Sequence, residues 1–131
     1  VVDLATLTGA CVAALGHVAS GLMGNTPDLV QALVRASAKT GEKVWELPLY
    51  SEYAEQIKSD VADVKNSGGR PAGAITGGLF LSKFAEGLPW AHLDIAGTAW
   101  SDSEKGYLAK GATGVGVRLL LQWLRDRAET K

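Results

Sequence analysis

The run Val1-Val2-Asp3-Leu4-Ala5-Thr6-Leu7-Thr8-Gly9-Ala10 constrains this chain most. It opens on β-branched and apolar residues and breaks at Thr8-Gly9, and a run of small apolar residues, Ala10-Cys11-Val12-Ala13-Ala14-Leu15, follows. That pattern predicts a buried central strand, a tight turn and a short buried helix. In open α/β sheets ligands bind beyond the carboxyl ends of strands, and residues 6–9 lie at such an end. Gly9 lets a ligand come close to the backbone, where free N–H and C=O groups can pair with a peptide. The same residues also read as an ordinary strand-to-helix turn, with Thr8 as cap and Gly9 easing the bend. Both readings stand at this point.

Further along, strands and helices alternate. Residues 16–25 have glycine at both ends and apolar residues inside, which predicts a short strand. His17 there reads as a loop or strand-edge histidine, because no second His or Cys lies near it. Thr26-Pro27-Asp28 is a helix start, with a capping hydroxyl, proline at the first helical position and an acid in the first turn. Leu29, Val30, Leu33, Val34 and Ser37 share one face of that helix, and Gly41 ends it. Residues 44–50 read as extended, since Pro48 disfavours helix before it. Trp45 reads as a core or interface aromatic. Ser51 then caps a helix running to about Ser59, with Tyr53, Ala54 and Ile57 inward. Residues 60–64 alternate like a short strand.

Residues 66–73 are the most loop-like stretch, rich in glycine and carrying Arg70. Such a loop lines a site or simply links two elements. A helix over 74–85 packs Ile75, Leu79, Phe80 and Phe84, and Gly77 and Gly78 inside it predict close approach to another backbone. Residues 88–97 read as a second central strand. His92 in it reads as a core histidine, and Asp94 as a structural acid near the site that must find hydrogen-bond partners. Residues 111–116 lack the order of a nucleotide-binding loop and read as tight helix-to-sheet packing. They lead into a closing helix over 117–127, with Leu119, Leu120, Trp123 and Leu124 inward. A polar tail from Glu129 is expected to fray. The alternation predicts a three-layer α/β domain.

Composition narrows the function classes. The chain has 131 residues, 47% of them hydrophobic, and a formal net charge of −1. That suits one domain with a real core, and it argues against nucleic acid or an anionic membrane as partner. No apolar run reaches the ~20 residues of a membrane span. Cys11 is the only cysteine, so no intrachain disulfide or cysteine metal cluster is expected, and its apolar setting predicts a buried thiol. A cytoplasmic setting fits. The chain starts inside a core-type strand without an initiator methionine, which predicts the C-terminal part of a longer protein. No nucleophile–base pair, paired acid site or metal-ligand spacing stands out from the pattern.

Six segments taken together resemble one family. They are Asp3-Leu4-Ala5-Thr6-Leu7-Thr8-Gly9-Ala10; Gly41-Glu42 with Trp45 and Leu47-Pro48-Leu49; Ala62-Asp63-Val64-Lys65-Asn66; Ala72-Gly73-Ala74-Ile75-Thr76; residues 90–100; and Lys110-Gly111-Ala112-Thr113-Gly114. In this order and spacing they resemble the leucyl aminopeptidases, the cytosol aminopeptidases with a two-metal site. The resemblance covers nearly the whole chain. It implies an α/β/α domain with a central mixed sheet, of which residues 1–131 are the C-terminal part. It implies removal of N-terminal residues, leucine and other bulky apolar ones, from peptide substrates. Two divalent ions (manganese, zinc or magnesium) and a homo-hexamer are implied as well.

The resemblance also implies what this chain lacks. The family's lysine and carboxylate metal ligands, its catalytic arginine and its catalytic lysine all precede the Asp3–Gly9 strand motif. No catalytic residue and no metal ligand is therefore expected here. Substrate contacts carry over instead. Leu7 C=O and Gly9 N–H match positions that hold the peptide main chain. Thr6, Gly9, Ala96 and Ala99 match the pocket for the first side chain, and Ser67 matches a position near the second. The competing reading is a non-catalytic relative serving as a scaffold or peptide-binding module, and a nucleotide-binding domain stands third.

Overall fold

The computed structural model describes residues 1–129. In chain order the elements are β1 (Val2–Ala5), α1 (Gly9–Leu15), β2 (Ser20–Gly24), α2 (Pro27–Thr40), β3 (Val44–Glu46), a 3-10 helix (Ser51–Ile57), α3 (Gly73–Ser82), β4 (Ala91–Asp94), β5 (Trp100–Ser101), β6 (Gly111–Ala112) and α4 (Val117–Glu129). The main sheet runs β1-β4-β2-β3, and β5 and β6 form a separate small hairpin. β1 lies parallel to β4, β2 antiparallel to β4, and β3 parallel to β2, so the sheet is mixed, as expected.

The pleat explains the layers. Leu22 of β2, with Ala91 and Leu93 of β4, faces Val30, Leu33 and Ala36 of α2 and Leu119 of α4, and these residues form the buried apolar core. Their strand neighbours point the other way. There Gly21 faces Cys11 of α1, and Gly78 of α3 faces Met23. Helices therefore cover both faces, α2 and α4 on one, α1 and α3 on the other. Truncating Leu22 or Leu33 to alanine would remove fully buried side chains, typically about 2–5 kcal/mol each.

Three polar side chains carry much of the architecture, and one of them, Glu42, is buried. Asn25 ties the end of β2 to the start of β4: its side chain accepts from Trp90 N–H at 2.9 Å and donates to Leu88 C=O at 2.9 Å. Asp3 of β1 meets His92 Nδ1 at 2.5 Å and accepts from Trp90 Nε1 at 2.7 Å, joining β1 to β4 on the α3 side. Glu42, just past α2, is buried, and its Oε2 accepts from the N–H groups of Gly116 at 3.0 Å and Leu119 at 2.8 Å. The first N–H groups of a helix lack partners within it, so one carboxylate caps α4 and favours its dipole. Its Oε1 accepts from Arg118 Nε at 3.3 Å. The Tyr107 hydroxyl first, and Glu42 second, raise the Arg118 guanidinium above its usual pKa.

Several expectations need correction. Thr26 makes no side-chain cap; its hydroxyl donates to Asn25 Oδ1 instead. The helix expected over 51–59 is a 3-10 helix ending at Ile57, and the Ser51 hydroxyl turns to Glu52. Residues 60–64 are bends: no strand lies beside them, and Val61 is exposed. Gly77 and Gly78 admit side chains of Thr8, Leu7 and Met23, not another backbone. Phe84 lies past the end of α3, so helical periodicity no longer sets its direction, and it is exposed. Leu124 falls on the outer flank of α4 with Val117 and Leu121, all exposed. Trp45 is exposed on the outer strand β3 and is no part of the core. Residues 111–116 behave as read: a side chain on Gly116 would collide with Leu4 of β1.

Glu42→Ala strands the capped N–H groups, and the unfolding midpoint of the protein is expected to fall with a loss of about 1–3 kcal/mol. Glu42→Gln, which keeps an acceptor oxygen, should lose less. Thermal or urea unfolding checks the order, and equal stability of all three forms would contradict the capping role.

Candidate substrate-binding site

The end of β4 organises the turn after β1. Ala5 pairs with Asp94 in register, so the two strands finish side by side. Asp94 is fully buried. Its Oδ2 accepts from the Thr8 hydroxyl at 2.6 Å. Its Oδ1 accepts from the N–H groups of Leu7 at 3.3 Å, Thr8 at 3.5 Å and Ala96 at 3.1 Å. A buried carboxylate without such donors would destabilise the fold by several kcal/mol, whereas one with them fixes every group it touches. Both turns at the carboxyl ends of β1 and β4 are thus held by a single side chain.

Thr8 works twice. Its Oγ also accepts from Cys11 N–H at 3.0 Å, which caps α1. Below the turn, Gly77 of α3 leaves room for the side chains of Thr8 and Leu7; an added Cβ would lie 3.0 Å from Thr8 Cγ2. Cys11 sits behind the turn. Burial first, and the charge of Asp94 second, raise its thiol pKa, opposed by a backbone hydrogen bond with Gly21. The thiol stays protonated at neutral pH and is a structural group.

The expected contact residues fall into three places. Thr6, Leu7 and Gly9 stand on the clamped turn, all solvent-exposed. Gly9 is the first residue of α1, it has no left-handed φ, and an added Cβ would meet nothing within 4 Å. The bend therefore does not require glycine, which corrects one of its two sequence readings. Ala96 joins the turn through its N–H on Asp94. Ala99 is half-buried one turn further on, with its N–H on Ile95 C=O at 2.9 Å and its C=O accepting from Thr113 N–H at 3.0 Å. Ser67 is exposed in the glycine-rich loop, where Gly69 N–H reaches its hydroxyl at 3.5 Å. Its neighbour Gly68 packs on Thr76 of α3, one residue before Gly77, so α3 links that loop to the turn.

A cleft of about 650 Å3 runs between α1 and this loop. Its lining includes Gly9, Ala10 and Ala13 on one side and Gly69, Arg70 and Gly73 on the other. Of the six expected contact residues, Gly9 is the one that lines it. The sequence did not reveal Thr8 as the hydroxyl that bridges Asp94 to α1; a threonine before a helical glycine signals only the cap. His17 proves a loop histidine, its Nδ1 2.8 Å from Gly97 C=O. His92 is a core histidine whose Nδ1 meets Asp3, while its buried Nε2 has no hydrogen-bond partner among the described residues.

A clamped strand-end turn thus borders an open cleft in a mixed α/β sheet. Residues 1–121 match the model of the cytosol aminopeptidase family, catalytic domain, and this chain belongs to that family. It is 58% identical over 126 residues to a probable cytosol aminopeptidase of Geobacter sp. (strain M21), covering 96% of this chain and 26% of that protein. It is 61% identical over 127 residues to one from Roseiflexus castenholzii, again covering 96% of this chain and 26% of the relative. Among solved structures, a tomato leucine aminopeptidase mutant superposes with a TM-score of 0.86 at 46% identity, over 94% of this chain and 24% of that one. The bottromycin maturation enzyme BotP in complex with Mn superposes with a TM-score of 0.89 at 42% identity, over 97% and 28%. The chain thus spans about a quarter of the length of the relatives it matches.

The acids and histidines present do not fit a metal-holding set. Among the described residues no group of three or more His, Cys, Asp or Glu is placed to bind a metal ion. Asp3 and His92 engage each other, Asp94 is taken up by the turns, and Glu42 caps α4. No chemical step can be written through a metal on these side chains.

Asp94→Ala is expected to destabilise the protein by about 3 kcal/mol or more, because several buried donors lose their acceptor together. Thr8→Val, which removes one hydroxyl, should lose about 1–2 kcal/mol. Denaturant unfolding of both variants checks the ranking. An Asp94→Ala protein as stable as Thr8→Val would mean that the carboxylate does not hold the turns.

Proposed function

We propose that this chain forms the substrate-pocket walls of a divalent-metal-dependent aminopeptidase whose metal ligands lie outside these residues. The carrying observation is the 6–9 turn, clamped by Asp94 and open to solvent at Gly9, in a chain of the cytosol aminopeptidase family. Main-chain groups on a rigid turn bind an extended peptide with little ordering loss. In this reading Leu7 C=O and Gly9 N–H hold the peptide backbone. Thr6, Gly9, Ala96 and Ala99 surround its first side chain, and Ser67 lies near the second. Small residues there leave room for leucine and other bulky apolar N-terminal residues.

The metal pair would polarise the scissile carbonyl and supply the attacking hydroxide. Manganese, zinc or magnesium are the ions proposed, and the manganese complex of BotP supports a divalent ion. A homo-hexamer in the cytoplasm, acting on peptides and on neither nucleic acid nor membrane, completes the proposal. The relatives' names support the cytosolic setting, and no helix among the described residues is long and apolar enough to cross a membrane.

The test uses the full-length, metal-loaded protein and a leucyl peptide. Wild type is expected to release leucine only with metal. Because an added Cβ at Gly9 meets nothing within 4 Å among the described residues, Gly9→Val should leave metal content unchanged while lowering kcat/KM by about tenfold or more. Unchanged kcat/KM would place the peptide elsewhere, and an inactive wild type would favour a non-catalytic relative.

A further inference from the structure

The cleft that begins at Gly9 is almost wholly uncharged. Small and apolar residues of α1 and α3 and Leu47 line it, and Arg70 is its one charged lining residue. Arg70 is exposed, and no ion pair among the described residues engages it. The loop around it is held by its neighbours. Gly68 abuts Thr76; a Cβ on Gly73 would come within 2.9 Å of Ala10 Cβ; and Ala72 is fixed at φ 53°, its C=O accepting from Thr76 N–H at 2.9 Å. A non-glycine residue in the left-handed region is uncommon and costs about 1–3 kcal/mol, so packing on both sides must hold the loop in place. The loop thus places Arg70, with no ion pair among the described residues, at the wall of an apolar cleft.

A peptide entering from Gly9 advances about 3.3–3.6 Å per residue. A guanidinium at the cleft wall matches a carboxylate in a planar, two-pronged way that a lysine cannot. We propose that Arg70 is a specificity-determining residue that binds a carboxylate on the departing part of the peptide. This rests on the aminopeptidase reading above. The carboxylate is either the free C-terminus of a short peptide or an acidic side chain beyond the first residue.

The test compares kcat/KM of the full-length, metal-loaded enzyme on Leu-Gly, on Leu-Gly amide and on Leu-Asp amide. The readout is the ratio of each carboxylate-bearing substrate to Leu-Gly amide. In Arg70→Gln one or both ratios should fall by about five- to tenfold, chiefly through KM, and Arg70→Lys should restore part of the loss. A fall for Leu-Gly alone assigns the C-terminus; a fall for Leu-Asp amide alone assigns the side chain. Unchanged ratios, including an equal loss on all three substrates, overturn the proposal. A wild-type enzyme that cleaves none of the three overturns the aminopeptidase reading itself.

Discussion

One buried carboxylate sets the geometry at the carboxyl ends of β1 and β4. Asp94 closes β4 and draws to itself the Thr8 hydroxyl and the N–H groups of Leu7, Thr8 and Ala96. Two turns that would otherwise fluctuate independently share one anchor. The Thr8 hydroxyl passes the constraint to α1 through Cys11 N–H, and Gly77 seats α3 under the same turn. Helices on one face of the sheet, and both strand ends, thereby fix where Thr6, Leu7 and Gly9 stand.

The opposite face is held by different means. There Leu22, Leu93, Leu33 and Leu119 form an apolar core, and the buried Glu42 carboxylate sits at the α4 terminus where helix N–H groups need an acceptor. The division is physical. Apolar packing supplies non-directional cohesion, and hydrogen-bonded carboxylates supply position. The Asp94 bonds are on the face that borders the cleft.

Much of this could be read from residue order. The mid-strand acid in an apolar run had to be satisfied, and the structure gives Asp94 its donors. Gly116 had to admit a neighbour, and Leu4 is there. Cys11 and His92 are buried as their apolar settings required. What stayed hidden depends on tertiary context. Periodicity stops informing beyond a helix end, as at Phe84, and on a helix flank, as at Leu124. At the site, the roles of Thr6, Leu7, Ser67, Ala96 and Ala99 came from family resemblance alone. The role of Gly9 came from the resemblance too; the structure adds only that its backbone needs no glycine and that it lines the cleft. The double use of Thr8 and the cleft placement of Arg70 required coordinates, because both join segments far apart in sequence.

The central claim is that the Asp94-clamped turn receives the peptide main chain. A crystal structure of the full-length, metal-loaded protein with a non-hydrolysable leucyl peptide analogue tests it most directly. The account predicts the analogue's backbone within hydrogen-bond distance of Leu7 C=O and Gly9 N–H, about 2.7–3.2 Å, with its side chain against Ala96 and Ala99. An analogue bound with no main-chain contact to residues 6–9 would contradict it.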